Sequence, residues 1–106
     1  MDKFVLQIMD GQNWEHALIM VNNNLGKLDL KVVALGAAIV PIFAPGKLRS
    51  ALQEAIDKGL SLEICSVSMA AAGLSEATPP KGALTKPGLI AISEARKDGF
   101  LYFVVA

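Results

Sequence analysis

The sequence predicts an α/β domain in which five short strands form a largely parallel sheet with helices on its faces. Two observations carry this reading. Strand-like and helix-like segments alternate along the whole chain and end on a strand, and parallel neighbours need crossover connections of about this length. The run Val32-Val33-Ala34-Leu35 is apolar without a break, as suits a central strand covered on both sides. At 106 residues the chain has the length of one domain, so residues 1–106 read as a single unit around one core.

Lys3 to Met9 is rich in strand formers, and Asp10-Gly11 after it is a turn signal, with Asn13 placed as N-cap of the next helix. In that helix Trp14, Ala17, Leu18, Val21 and Leu25 make one apolar stripe, and Gly26 closes it. The opposite side carries His16, Ile19, Met20 and Asn23, which makes it a candidate interface. Leu30 to Gly36 is the second strand, and Ala37 to Pro45 reads as an apolar loop. From Lys47 to Lys58 a second helix turns Leu48, Ala51, Leu52, Ala55 and Ile56 inward and Arg49, Gln53, Glu54 and Asp57 outward. Gly59 ends it. Leu60 to Cys65 then alternates, with Leu60, Leu62 and Ile64 on one face and Cys65 on the other. Ser66-Val67-Ser68 offers N-cap chemistry for a short helix through Ala72, stopped by Gly73. Ser75 to Gly82, with Pro79-Pro80, reads as an exposed loop, and Ala83 to Lys86 as a short strand. Pro87 opens a helix through Asp98, Gly99 closes it, and Phe100 to Val105 is the last strand.

Composition narrows the partners. Hydrophobic residues make up 53% of the chain and charged residues 19%, below the roughly 25% usual for soluble chains. A domain this small cannot bury all of that apolar surface, and the excess points to a homo-oligomer. Ten basic and ten acidic side chains give a formal net charge of zero, so no electrostatic footprint for nucleic acid or anionic lipid exists. The longest uncharged run, Val32 to Gly46, holds Pro41 and Pro45 and is too short to span a membrane. The opening Met1-Asp2-Lys3-Phe4 enters a strand without the apolar stretch of a signal peptide. A single cysteine excludes an internal disulfide or a CxxC motif. A cytoplasmic location is expected.

That cysteine is the first candidate for chemistry. Cys65 ends a strand and precedes a helix, and open α/β sheets bind ligands beyond the carboxyl ends of their strands. A helix start also favours thiolate over thiol, and Ser66 and Ser68 in that first turn are candidate substrate-binding residues. The competing reading is a packed free cysteine acting as a small hydrophobe. The next arginine after Cys65 is Arg96, which rules out a local anion-binding loop of the phosphatase or rhodanese kind. His16, the only histidine, lies on a helix face directed away from the sheet, so it is not placed as a base for Cys65. Gln7 reads as a strand amide with satisfied hydrogen bonds. Gly46-Lys47 lacks the rest of a P-loop, and neither GxGxxG nor an acidic metal cluster is present.

The segment Gly59-Leu60-Ser61-Leu62-Glu63-Ile64-Cys65-Ser66-Val67-Ser68-Met69, after an amphipathic helix, resembles the cysteine-bearing signature of the DsrE/DsrF-like sulfur-relay family. Phe4-Val5-Leu6-Gln7-Ile8, Val33-Ala34-Leu35-Gly36 and Ala95-Arg96-Lys97-Asp98-Gly99-Phe100 resemble it too. The resemblance implies a three-layer α/β/α domain, assembly as a trimer or hexamer, and Cys65 as acceptor of sulfane sulfur carried as persulfide or thiosulfonate. It implies no metal and no organic cofactor. With no second cysteine in the chain, donor and acceptor would be partner proteins or small thiols. The contrasting reading is a non-enzymatic oligomeric binding or scaffold module with a structural cysteine, and a small-ligand binder at the sheet's switch point is a third.

Overall fold

The computed structural model describes residues 1–106. Its strands are β1 (Lys3–Ile8), β2 (Asp29–Ala34), β3 (Ser61–Cys65), β4 (Leu84–Lys86) and β5 (Leu101–Val105). They lie in the order β4-β3-β2-β1-β5, and every pairing is parallel. The chain builds outward from β1 to β4 and then crosses back to set β5 on the far side of β1. The unbroken apolar run accordingly falls in the middle of the sheet, where Val32, Val33 and Ala34 of β2 are fully buried.

Alternation along the strands assigns each residue to a layer. Leu6, Ile8, Val32, Ala34, Leu62 and Ile64 point to one side. There they meet α1 (Trp14–Asn24), α2 (Lys47–Asp57) and a 3-10 helix (Gly36–Phe43) in a cluster of 18 buried residues. Met69 of the short α3 (Ser66–Ala71) joins the same cluster. Val5 and Val33 point the other way, to Ala91 and Ala95 of α4 (Gly88–Lys97), in a cluster of only 4 buried residues. The three layers are thus unequal, with the thin one under α4.

Several local expectations are corrected. Ala37 to Pro45 is not a loop: the 3-10 helix runs through it, driven by burial of Ala38, Ile39 and Ile42. Proline 41 lacks the N–H that a 3-10 turn would direct at the Ala38 carbonyl, and the Trp14 indole N–H supplies that donor at 2.9 Å. Asn13 holds the N-cap position of α1 but its side chain makes no capping hydrogen bond there, whereas Asp10 caps a preceding 3-10 turn (Gly11–Asn13) by accepting from the Gln12 N–H. Met20 does not face water but is half-buried against the main core, leaving Ile19 exposed beside His16. Arg49 and Gln53, read as outward, are half-buried. Arg49 donates to the Ile42 carbonyl. Gln53 exchanges two hydrogen bonds with the Lys81 backbone, so the Pro79-Pro80 segment is tied down and Pro80 is buried.

Trp14→Phe removes the indole donor and leaves the Ala38 carbonyl without it, at a cost of about 2 kcal/mol for an unpaired buried acceptor. Urea unfolding of the variant should show that loss as a lowered midpoint with an unchanged slope.

Candidate functional site

The alternation that sends Leu62 and Ile64 into the main core sends Glu63 and Cys65 to the α4 side of the sheet. Cys65 is the last residue of β3, and its backbone turns directly into α3. The expected serine cap is replaced by the cysteine itself. Cys65 is the N-cap, and its Sγ accepts a hydrogen bond from the Ser68 N–H at 3.4 Å. A second N–H reaches the same sulfur from the opposite direction: Gly88, the first residue of α4, donates at 3.2 Å. Two helix starts therefore converge on one thiol.

Gly88 is suited to this approach because it has no side chain. A Cβ there would lie 3.2 Å from Sγ, 3.3 Å from the Cys65 Cβ and 3.5 Å from the Leu35 Cβ. The Ser68 hydroxyl accepts from the Gly36 N–H at 2.8 Å, which leaves its own proton free to donate. Burial pushes the Cys65 thiol pKa up, but hydrogen bonding from the Ser68 side chain and from the backbone of Ser68, Gly88 and Val67 outweighs it. The net result lies below the ordinary thiol value, so the thiolate is favoured. Cys65 as a whole residue is nevertheless only 5% exposed.

Next to it, under α4, lies a charged cluster. Glu63 is 2% exposed. Its Oε2 is 3.3 Å from Lys86 Nζ and 3.6 Å from Lys31 Nζ, while its Oε1 is buried without a hydrogen-bond partner. Lys86 also meets Glu94 of α4 at 3.2 Å, and first Glu94 and then Glu63 hold its ammonium above the usual lysine range. Lys86 pairs in register with Cys65 across β3 and β4. Beside the first turn of α3, Gly36, Ala37, Val40, Ser68, Ala71 and Ala72 line a shallow depression of about 250 Å³ with no charged group.

The structure brings Cys65 and Ser68 together. Ser66 is half-buried and makes no hydrogen bond with the sulfur. His16 is exposed on α1, on the sheet face opposite Cys65. Gln7 is half-buried and accepts a hydrogen bond from the Tyr102 hydroxyl. The strand order reverses between β1 and β5, whereas Cys65 stands between β2 and β4, away from that switch point. Gly88, Lys86 and Glu63 escaped the sequence reading. A signal existed for one of them: Glu63 is an acidic residue set between two core residues, Leu62 and Ile64, and such a group must find a partner. No three His, Cys, Asp or Glu side chains gather to hold a metal ion, and no helix is long and apolar enough to cross a membrane.

No family model matches the chain, and no curated protein does. Solved structures do match. The chain is similar to MTH1491, a protein of unknown function from Methanobacterium thermoautotrophicum, at 19% identity and a TM-score of 0.72, over 97% of this chain and 99% of that one. The ychN protein of E. coli matches at 13% identity and a TM-score of 0.74, over 98% and 99%. BT1422 of Bacteroides thetaiotaomicron, also of unknown function, matches at 16% identity and a TM-score of 0.77, over 95% and 94%. At these identities the likeness establishes a shared small α/β fold along nearly the whole length of each chain.

Gly88→Ala should push the sulfur from its donors, costing about 1–3 kcal/mol of stability by overpacking. The pH midpoint of Cys65 alkylation by a neutral haloacetamide, followed by intact mass, is expected to rise relative to wild type. An unmoved midpoint would show that the Gly88 contact does not stabilise the thiolate.

Proposed function

We propose that the protein is a sulfur carrier of the DsrE/DsrF-like kind, with Cys65 accepting and passing on sulfane sulfur. The observation that carries this reading is the sulfur's position at two helix starts, which favours a thiolate at the end of a sheet strand. The resemblance of the Gly59 to Met69 segment and the agreement of the fold with the one that the resemblance implies support it.

In the transfer step the Cys65 thiolate attacks the outer sulfur of a donor persulfide, R–S–SH. A sulfur–sulfur bond forms on Cys65 as the donor's own breaks, and the donor leaves as the thiolate RS⁻. An acceptor thiolate then attacks the outer sulfur of the Cys65 persulfide and returns Cys65 as thiolate. Both exchanges balance without oxidant, reductant, metal or organic cofactor. Lys86, the cation nearest in register, is engaged by Glu63 and Glu94 and the depression beside α3 is uncharged, which favours a persulfide over the bulkier thiosulfonate, whose sulfonate oxygens would meet no free cation there. Because the chain has one cysteine, donor and acceptor are other proteins or small thiols, in keeping with a cytoplasmic setting.

One observation favours the contrasting reading, a scaffold with a structural cysteine: the 5% exposure of Cys65. Intact mass of wild type and Cys65→Ser after brief exposure to polysulfide near neutral pH separates the two. The carrier reading expects a reductant-reversible gain of sulfur on wild type alone. A thiol that reacts only after denaturation would establish the scaffold.

Self-association of like chains, as a trimer or hexamer, belongs to the same proposal. The outer edge of β5 is unpaired, Leu101, Tyr102, Phe103 and Val104 are each 41% exposed or more, and no charge guards that strand. Phe103→Lys combined with Val104→Lys should reduce the mass measured by light scattering to that of a single chain; an unchanged mass would exclude β5 as the interface.

A further inference from the structure

The α4 layer is held by little apolar packing: Ala91 and Ala95 rest on Val5 and Val33, with Leu35, Ile92 and Phe100 at the margin. Yet the first residue of this helix makes one of the two backbone contacts to the sulfur. The segment leading into it is equally slight, since β4 has three residues and Leu84 and Thr85 are exposed. The β3–β4 ladder sets Lys86 beside Cys65, and the angle of the corner Lys86-Pro87-Gly88 beyond it depends on contacts other than this small apolar cluster.

We propose that Lys86, gripped between Glu63 of β3 and Glu94 of α4, is a positioning residue that holds Gly88 against the Cys65 sulfur. The inference rests on the reading of Cys65 as a working thiolate. Lys86 stands two residues before Gly88 and Glu94 six residues after it, so the 3.2 Å contact ties the strand side of the corner to the second turn of the helix. The 3.3 Å contact to Glu63 anchors the same ammonium to the floor of the sheet. Lys31 completes the charge balance of Glu63 from β2. The ionisable groups on the Cys65 side of the sheet around this corner are therefore Glu63, Lys31, Lys86 and Glu94, from β3, β2, β4 and α4.

Charge and position make opposite demands in one variant. Glu94→Gln deletes a negative charge and leaves Lys86 less neutralised, which by Coulomb's law alone favours the thiolate and lowers the alkylation midpoint. The amide oxygen still accepts from Lys86 but no longer pairs with its charge, and the clamp so weakened lets Gly88 move off the sulfur, which raises the midpoint. Glu94 is 54% exposed at its side chain, so the variant should fold as wild type does. Lys86→Met removes the clamp entirely.

The test is the pH profile of Cys65 alkylation by iodoacetamide on the full chain, read as midpoint rather than plateau, because the plateau also reports access to the sulfur. Glu94→Gln is expected to raise the midpoint by about half a pH unit, a threefold slower reaction below it. Lys86→Met should raise it by about one unit, or tenfold. A lowered or unmoved midpoint in Glu94→Gln would overturn the positioning role, even if Lys86→Met failed to fold. These profiles need no sulfur donor: wild type that takes no sulfur from polysulfide while the midpoints still rise would remove the carrier reading and leave the clamp standing.

Discussion

The pleat of β3 is the constraint from which the site follows. A strand buried on both faces must divide its side chains strictly between them. Leu62 and Ile64 go to the thick layer under α1, α2 and the 3-10 helix. Glu63 and Cys65 consequently go to the thin layer under α4. A slip of one residue in register would drive a carboxylate into the main core and turn the thiol away from α4. The apolar demand of Leu62 and Ile64, both essentially without exposure, thus positions the two polar groups that chemistry can use.

The thin layer achieves with directed contacts what the thick one achieves with volume. Two alanines of α4 bring the helix close to the sheet, and this nearness lets the Gly88 N–H reach Sγ. Removing Glu63 from water is costly unless its charge is compensated. Lys31 and Lys86 provide that compensation, and Glu94 in turn compensates Lys86 across the corner. Lys31 Nζ also stands 5.1 Å from the centroid of the Phe100 ring. The resulting network spans β2, β3, β4 and α4. Because Glu63 is buried, loss of either lysine would leave its charge under-compensated, so the network fixes orientation as well as contributing to stability.

Legibility in the sequence followed the range of the interaction. Trp14, Ala17 and Val21 repeat at helical spacing and are buried as that spacing requires. The run at residues 32–35 announced a central strand, and the alternation from Leu60 to Ile64 put Cys65 on the opposite face, as observed. Where reading failed, a distant partner had intervened. Ala37 to Pro45 carries two prolines and no helical period, yet burial of three residues and the donor from Trp14, 24 residues away, makes it helical. Gln53 lies on the polar side of α2 and is half-buried only because the Lys81 backbone comes to it. Ser66 and Ser68 were equal candidates as caps by type. The sulfur took the cap because the chain enters α3 one residue earlier than the serines suggest, so Ser68 contributes its N–H and Ser66 contributes nothing to the sulfur.

The sequence by itself determined the alternation of strands and helices, the central place of β2, the face on which Cys65 stands and its location at a strand end, because each is written in periods of two or 3.6 residues within a short window. Only the tertiary structure decided that Gly88 would meet Cys65 across 23 residues, that Lys86 would bridge Glu63 and Glu94, and that β5 would end at an open edge beside β1. The physical reason is that strand order and helix placement are settled by the joint burial of all layers at once. Contacts between the ends of different βα units have no signature in any one of them.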